Sequence, residues 1–280
     1  MNNSTVNFTT SETSTNSTTQ SFWLMNFVET CILGINFLFG VPTNIYVIWL
    51  IITGTGSGVA SEFFRLNLSI CELVNCLNSL LAILPMYFSS LSFLPYILQG
   101  LIHTGRPLFQ CLICVERYLA VVHPVTFLKF KPLRYRVICC TAVWIIIIGS
   151  CFFNLFFISQ NFHAHIWFFS TQFLLFLSIQ LFFLVVVLRA LKQSGPGERV
   201  RERKEENHMK RRAFHIILIT TVSMTFIYVP YSITGFCIIL TQQNYQVYWL
   251  PGLVCYVLAG FVQPVLYLHR TGKLSSLCSS

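Results

Sequence analysis

Seven stretches of mostly apolar residues run along the chain, at about 23–52, 62–86, 91–122, 136–158, 166–191, 209–240 and 249–268. Each approaches or exceeds the ~20 residues with which a helix crosses the hydrocarbon of a bilayer. Only helices and closed barrels satisfy their backbone there, and runs of this length without two-residue alternation are helices. The pattern predicts seven transmembrane helices and no strand. The sharpest interruption lies in the gap 192–208, where Gly-Pro-Gly ends the fifth segment and a run of mixed charge leads into the sixth. The first 21 residues are Ser, Thr and Asn with almost nothing apolar, which predicts an unordered tail.

Composition supports a bilayer as the solvent. Of 280 residues 55% are hydrophobic and 10% charged, where a soluble domain carries about a quarter charged. The net charge of +9 suggests a nucleic-acid binder only until the cations are located. Nearly all lie in or beside the gaps 53–61, 123–135 and 192–208 and the tail after 268, whereas the gaps 87–90, 159–165 and 241–248 and the first 21 residues hold none. Positive charge stays cytoplasmic, so the N-terminus is expected outside and the C-terminus inside. An odd number of spans is required, and seven satisfies it. Sequons at Asn2, Asn3, Asn7 and Asn16 place the tail outside independently. The expected organisation is an extracellular glycosylated tail over 1–21, a seven-helix transmembrane domain over 22–270 and a short cytoplasmic tail over 271–280, in the plasma membrane. No basic stretch ahead of an apolar core reads as a cleaved signal peptide.

The chemistry classes narrow in the same way. Most of the 11 cysteines sit inside apolar segments, where a thiol is a small packing residue. Cys111 and Cys114 have metal-ligand spacing, but no second pair matches them, so no metal site is expected. No nucleophile–base constellation suggests an enzyme, and no cofactor or nucleic-acid partner is implied. What stands out is the stretch "LIHTGRPLFQC" in the third segment, which sets Arg106 and Pro107 side by side. A guanidinium in hydrocarbon is costly, and proline removes a helical hydrogen bond.

The same segment ends "CVERYLAVVHPV". Glu116-Arg117-Tyr118, followed by Pro124, resembles the cytoplasmic end of helix three in the rhodopsin-like G protein-coupled receptors, with Glu for the usual Asp. Asn44 matches that family's helix-one asparagine. "LNLSICEL" resembles the helix-two motif, with Glu72 where an Asp is usual, and Trp144 fits the helix-four tryptophan. "FIYVPY" puts Pro230 at the helix-six kink, with Tyr228 for a Trp. "QPVLY" resembles the helix-seven motif, with Gln263 for Asn before Pro264 and Tyr267. The resemblance covers about 23–270. It implies a seven-helix receptor that transmits binding of an extracellular ligand to a heterotrimeric G protein.

The resemblance also assigns roles. Glu116, Arg117, Tyr118 and Tyr267 form the inner switch, in which Arg117 pairs with Glu116 at rest and is released toward the G protein. The alternative is an interfacial arginine that snorkels. Tyr228, Pro230, Gln263 and Pro264 form the relay, the prolines serving as hinges. In the family, the residue eleven before the helix-three arginine faces the helix-two acid and helps hold sodium. Here these positions are Arg106 and Glu72, which implies a buried ion pair in place of the ion, with two-point contact. The other reading leaves Arg106 against backbone carbonyls or water. Pro107 is tolerable if its freed carbonyl lies in a polar interior.

For the ligand pocket, the outer halves of helices three, six and seven offer Tyr96, Gln99, His103, Thr104, Tyr231, Ser232 and Trp249. None is acidic, so a neutral small molecule or lipid is expected. Gln99 stands where amine receptors carry Asp, and the seventh segment has no Lys for a retinal. His103 is equally readable as a hydrogen-bonded core residue. The family's outer disulfide is not expected, since Ser92 holds the helix-three position and "SQNFHAH" has no Cys. Cys278 is either palmitoylated or a free thiol. The competing class is a transporter or channel that uses Glu72, Arg106 and His103 as an ion path.

Overall fold

A computed structural model describes residues 12–54, 62–86, 88, 90, 93–130, 132–157, 162–192, 200–241 and 249–270. Eight helices are seen among them: α1 (Glu12–Thr53), α2 (Phe63–Ile83), α3 (Phe93–Val122), α4 (Pro124–Phe130), α5 (Leu133–Phe157), α6 (Phe162–Lys192), α7 (Val200–Thr241) and α8 (Leu250–Arg270). Seven are long, one for each apolar segment, and no strand occurs among the described residues. The short α4 occupies the gap 123–135. It begins with Pro124, a position where the missing N–H bonds nothing anyway.

Several helices outrun their apolar segments. α6 starts at Phe162 and α7 at Val200, ahead of the expected 166 and 209. α1 reaches back to Glu12, into the stretch expected to be an unordered tail. A helix nucleated in an apolar segment extends at one hydrogen bond per added residue, so weak propensity does not stop it at the membrane surface. Asn16 falls on this extension, while Asn2, Asn3, Asn7, Ser92 and Cys278 lie outside the described residues.

Six of the long helices are long and apolar enough to cross a bilayer. The seventh, α3, is more polar because it carries Gln99, His103, Thr104, Arg106 and Gln110. The fold shelters it: α3 packs against α2, α5, α6 and α7, and every residue from Gly100 to Pro107 is buried. The outer helices instead turn apolar side chains outward, including Leu38 and Phe39 on α1, Ile145 and Ile148 on α5, and Leu174 and Leu175 on α6. A belt of that size is far beyond what a water-exposed monomer tolerates.

Polar contacts set the helices in register. Asn36 of α1 donates to Ser79 of α2 at 2.7 Å, and Trp144 Nε1 of α5 donates to Asn67 of α2 at 3.0 Å. α3 and α5 are in close backbone contact at Gly100, where a Cβ would lie 2.6 Å from the Ser150 carbonyl oxygen. Only a residue without a side chain allows that backbone contact.

Candidate functional site

The arrangement is built around α3. His103, Arg106, Gln110 and Arg117 recur at spacings of three, four and seven, so they form one stripe along its length. Glu72 sits on the facing side of α2. Arg106 Nε donates to one carboxylate oxygen of Glu72 and Nη2 to the other, with both side chains only 3% exposed. The guanidinium also lies over the Tyr256 ring of α8, 4.7 Å from its centroid. Two charges buried together this way contribute little net stability, yet each is costly without the other.

Pro107 has a specific partner in this arrangement. Lacking an N–H, it frees the carbonyl of His103, four residues earlier. Tyr228 of α7 donates its hydroxyl to that oxygen at 3.3 Å, and lies 3.4 Å from the Ile102 oxygen. The Tyr228 ring stacks on Phe173 of α6, with centroids 5.5 Å apart. One side chain thereby joins α3, α6 and α7 directly above the ion pair.

A cavity of about 490 Å³ opens on the same side. Gln99, His103, Tyr231 and Trp249 line it, as the sequence suggests. His103 rests on Tyr231 at 4.7 Å and on Phe169 at 4.9 Å between centroids. Thr104 and Ser232 do not line it. Each is one residue beyond a lining position, about 100° further round its helix, and Thr104 bonds Gln172 of α6 at 3.1 Å instead. The Tyr96 side chain is outside the described residues. None of the residues offered from helices three, six and seven is acidic, but α1 and α2 also contribute to the wall: Glu29 of α1 lines it, with Asn75, Asn78 and Ser79 of α2. Beneath the cavity a smaller void touches Glu72 and Arg106 and shares Asn75, Ile102 and Tyr256 with the space above. The ion pair therefore lies directly under the cavity floor.

The opposite end of α3 holds the second charged cluster. Arg117 Nη2 lies 3.6 Å from Glu116, but Arg136 of α5 is closer, with Nη2 2.6 Å from the other carboxylate oxygen. Glu62 and Arg65, paired at 3.3 Å at the start of α2, add to the field at Glu116. Sequence reasoning counted Arg136 only as one more cation bordering a basic gap, and its pairing depends on how α5 packs. Tyr118 turns toward Phe183 of α6 and is within hydrogen-bond distance of His123, at 3.0 Å. Tyr267 packs with Val47 and Ile51 of α1 and Leu268 of α8. Gln263 Nε2 is buried without a hydrogen-bond partner among the described residues, and Pro230 and Pro264 lie within continuous helices.

Comparison with known proteins gives two findings. The family model described as "7 transmembrane receptor (rhodopsin family)" matches residues 43–267. The curated "Uracil nucleotide/cysteinyl leukotriene receptor" of Rattus norvegicus and its counterpart in Mus musculus are each 27% identical over 132 residues, 44% of this chain and 39% of the relative. The chain thus spans about two-fifths of the length of these relatives.

Proposed function

Because the chain belongs to the rhodopsin family of seven-transmembrane receptors, we propose that it binds a ligand in the cavity between α1, α2, α3, α7 and α8 and signals to a heterotrimeric G protein at the Arg117 end. The cavity end faces outward, with the N-terminus, and the Arg117 end faces the cytoplasm. The observation that carries this reading is the continuous stripe on α3: cavity wall at His103, ion pair at Arg106, paired arginine at Arg117. A ligand that favours one packing of α7 against α3 shifts the population of that packing, and the Tyr228 contact to His103 is the joint across which it acts. Arg117 released from Glu116 then meets the G protein. The Glu72–Arg106 pair fills the place of a sodium ion, since a guanidinium already neutralises the acid.

The relatives are named for a uracil nucleotide and a cysteinyl leukotriene, and neither ligand transfers readily. Among the described residues no Lys or Arg lines this cavity to balance a phosphate or carboxylate. The transporter reading loses its ground to the family match.

Nucleotide exchange on G proteins in membranes tests the proposal. Wild type is expected to exceed Arg117→Ala in basal exchange, and sodium is expected to leave wild-type exchange unchanged. Equal exchange for the two forms across the G protein classes, at matched surface expression, would overturn the signalling role. Suppression by sodium would overturn the role of the ion pair.

A further inference from the structure

Resting on the assignment of the cavity as the ligand site, we infer that its ligand carries a cationic nitrogen and that Glu29 of α1 receives it. Among the described lining residues Glu29 is the one carboxylate, and none is Lys or Arg. The guanidinium of Arg106, under the floor, is neutralised by Glu72 through Nε and Nη2, although its Nη1 has no hydrogen-bond partner among the described residues. A carboxylate in a cleft between apolar helices is poorly screened by water, and such a cleft concentrates ions of opposite sign. An anionic ligand is repelled by that carboxylate.

The polar groups of the wall suit the same ligand. Asn78 Oδ1 is buried at the cavity and accepts no hydrogen bond among the described residues. An ammonium group has only donors, in several directions, so a carboxylate and an amide oxygen both suit it. The facing wall is aromatic, formed by His103, Tyr228, Tyr231 and Trp249. It favours a flat or apolar body and itself attracts a cation through the ring faces. His103 Nε2, without a partner among the described residues, offers that body one polar contact. The ligand class is a compact aromatic amine held from α1, whereas amine receptors of this family place the acid on helix three.

The test uses the full-length receptor in lipid nanodiscs with Ala82, another lining residue, changed to cysteine. Ethyltrimethylammonium and ethylsulfonate methanethiosulfonates are applied, and their rates are divided by those on a free thiol, with the receptor lacking the new cysteine as background. The cationic reagent is expected to lead by about tenfold or more. Glu29→Gln is expected to bring the ratio near one, and Glu29→Asp to preserve it. In addition, 2-phenylethylammonium is expected to slow modification by the neutral methyl reagent, and 3-phenylpropionate to leave it unchanged. A wild-type ratio near one, a ratio unmoved by Glu29→Gln, or better protection by the carboxylate would overturn the inference. The wild-type ratio and the protection pair decide the matter if Glu29→Gln fails to fold. None of these readouts involves a G protein, so the ligand class and the signalling role fail separately.

Discussion

Tyr228 Oη meets the one α3 carbonyl that Pro107 releases, so a residue that breaks a helix and a residue on another helix form a single device. Removing the hydroxyl in Tyr228→Phe leaves a buried acceptor unmet, at a cost of about 1–3 kcal/mol. In a Pro107→Ala background the alanine N–H returns to the His103 oxygen, and the same Tyr228→Phe change is expected to cost much less. Thermal unfolding of the four proteins in detergent measures this coupling, and an equal penalty in both backgrounds would refute it. The residue scale also shows where sequence reading succeeds and fails. Glu72 and Arg106 were legible because ionisable groups are rare in hydrocarbon and need partners. By the same logic Glu29, an acid inside the first apolar segment, was a signal within reach. Arg136 was not: its partner Glu116 is twenty residues away on another helix, and only packing brings them together.

At the scale of the elements, α3 explains its own composition. Its polar residues leave it the one long helix among those described that is not apolar enough in composition to count as a span by itself, and the bundle compensates by surrounding it. Gly100 permits the tight α3–α5 seam. A methyl group there would strike backbone of α5, so Gly100→Ala is expected to destabilise by about 1–3 kcal/mol, as overpacked sites do. Gly149 lies on α5 with nothing within 4 Å of an added Cβ, and Gly149→Ala is expected to stabilise by up to about 1 kcal/mol through helix propensity. Unfolding midpoints of the two variants measure the contrast; shifts of the same sign would contradict the assigned seam. Apolar runs revealed the long helices but not their ends, because α1, α6 and α7 continue past the hydrocarbon where hydropathy no longer marks them. The α4 turn was also hidden, lying in a basic gap whose only helical cue is Pro124.

For the whole molecule, seven apolar segments sufficed to read the helical bundle. The cavity was only half legible, since helical phase decides which of two adjacent residues faces it, and Thr104 and Ser232 fell on the wrong side. The proposed polarity, cavity outside and Glu116–Arg117–Arg136 cluster inside, rests on the charge pattern, and the whole signalling account requires it. Accessibility of epitope tags fused at the two chain ends tests it most directly in intact and permeabilised cells. The account predicts antibody labelling of the N-terminal tag on intact cells and of the C-terminal tag only after permeabilisation. Labelling of both tags on intact cells, or of neither until permeabilisation of cells shown to carry the protein at their surface, would contradict it.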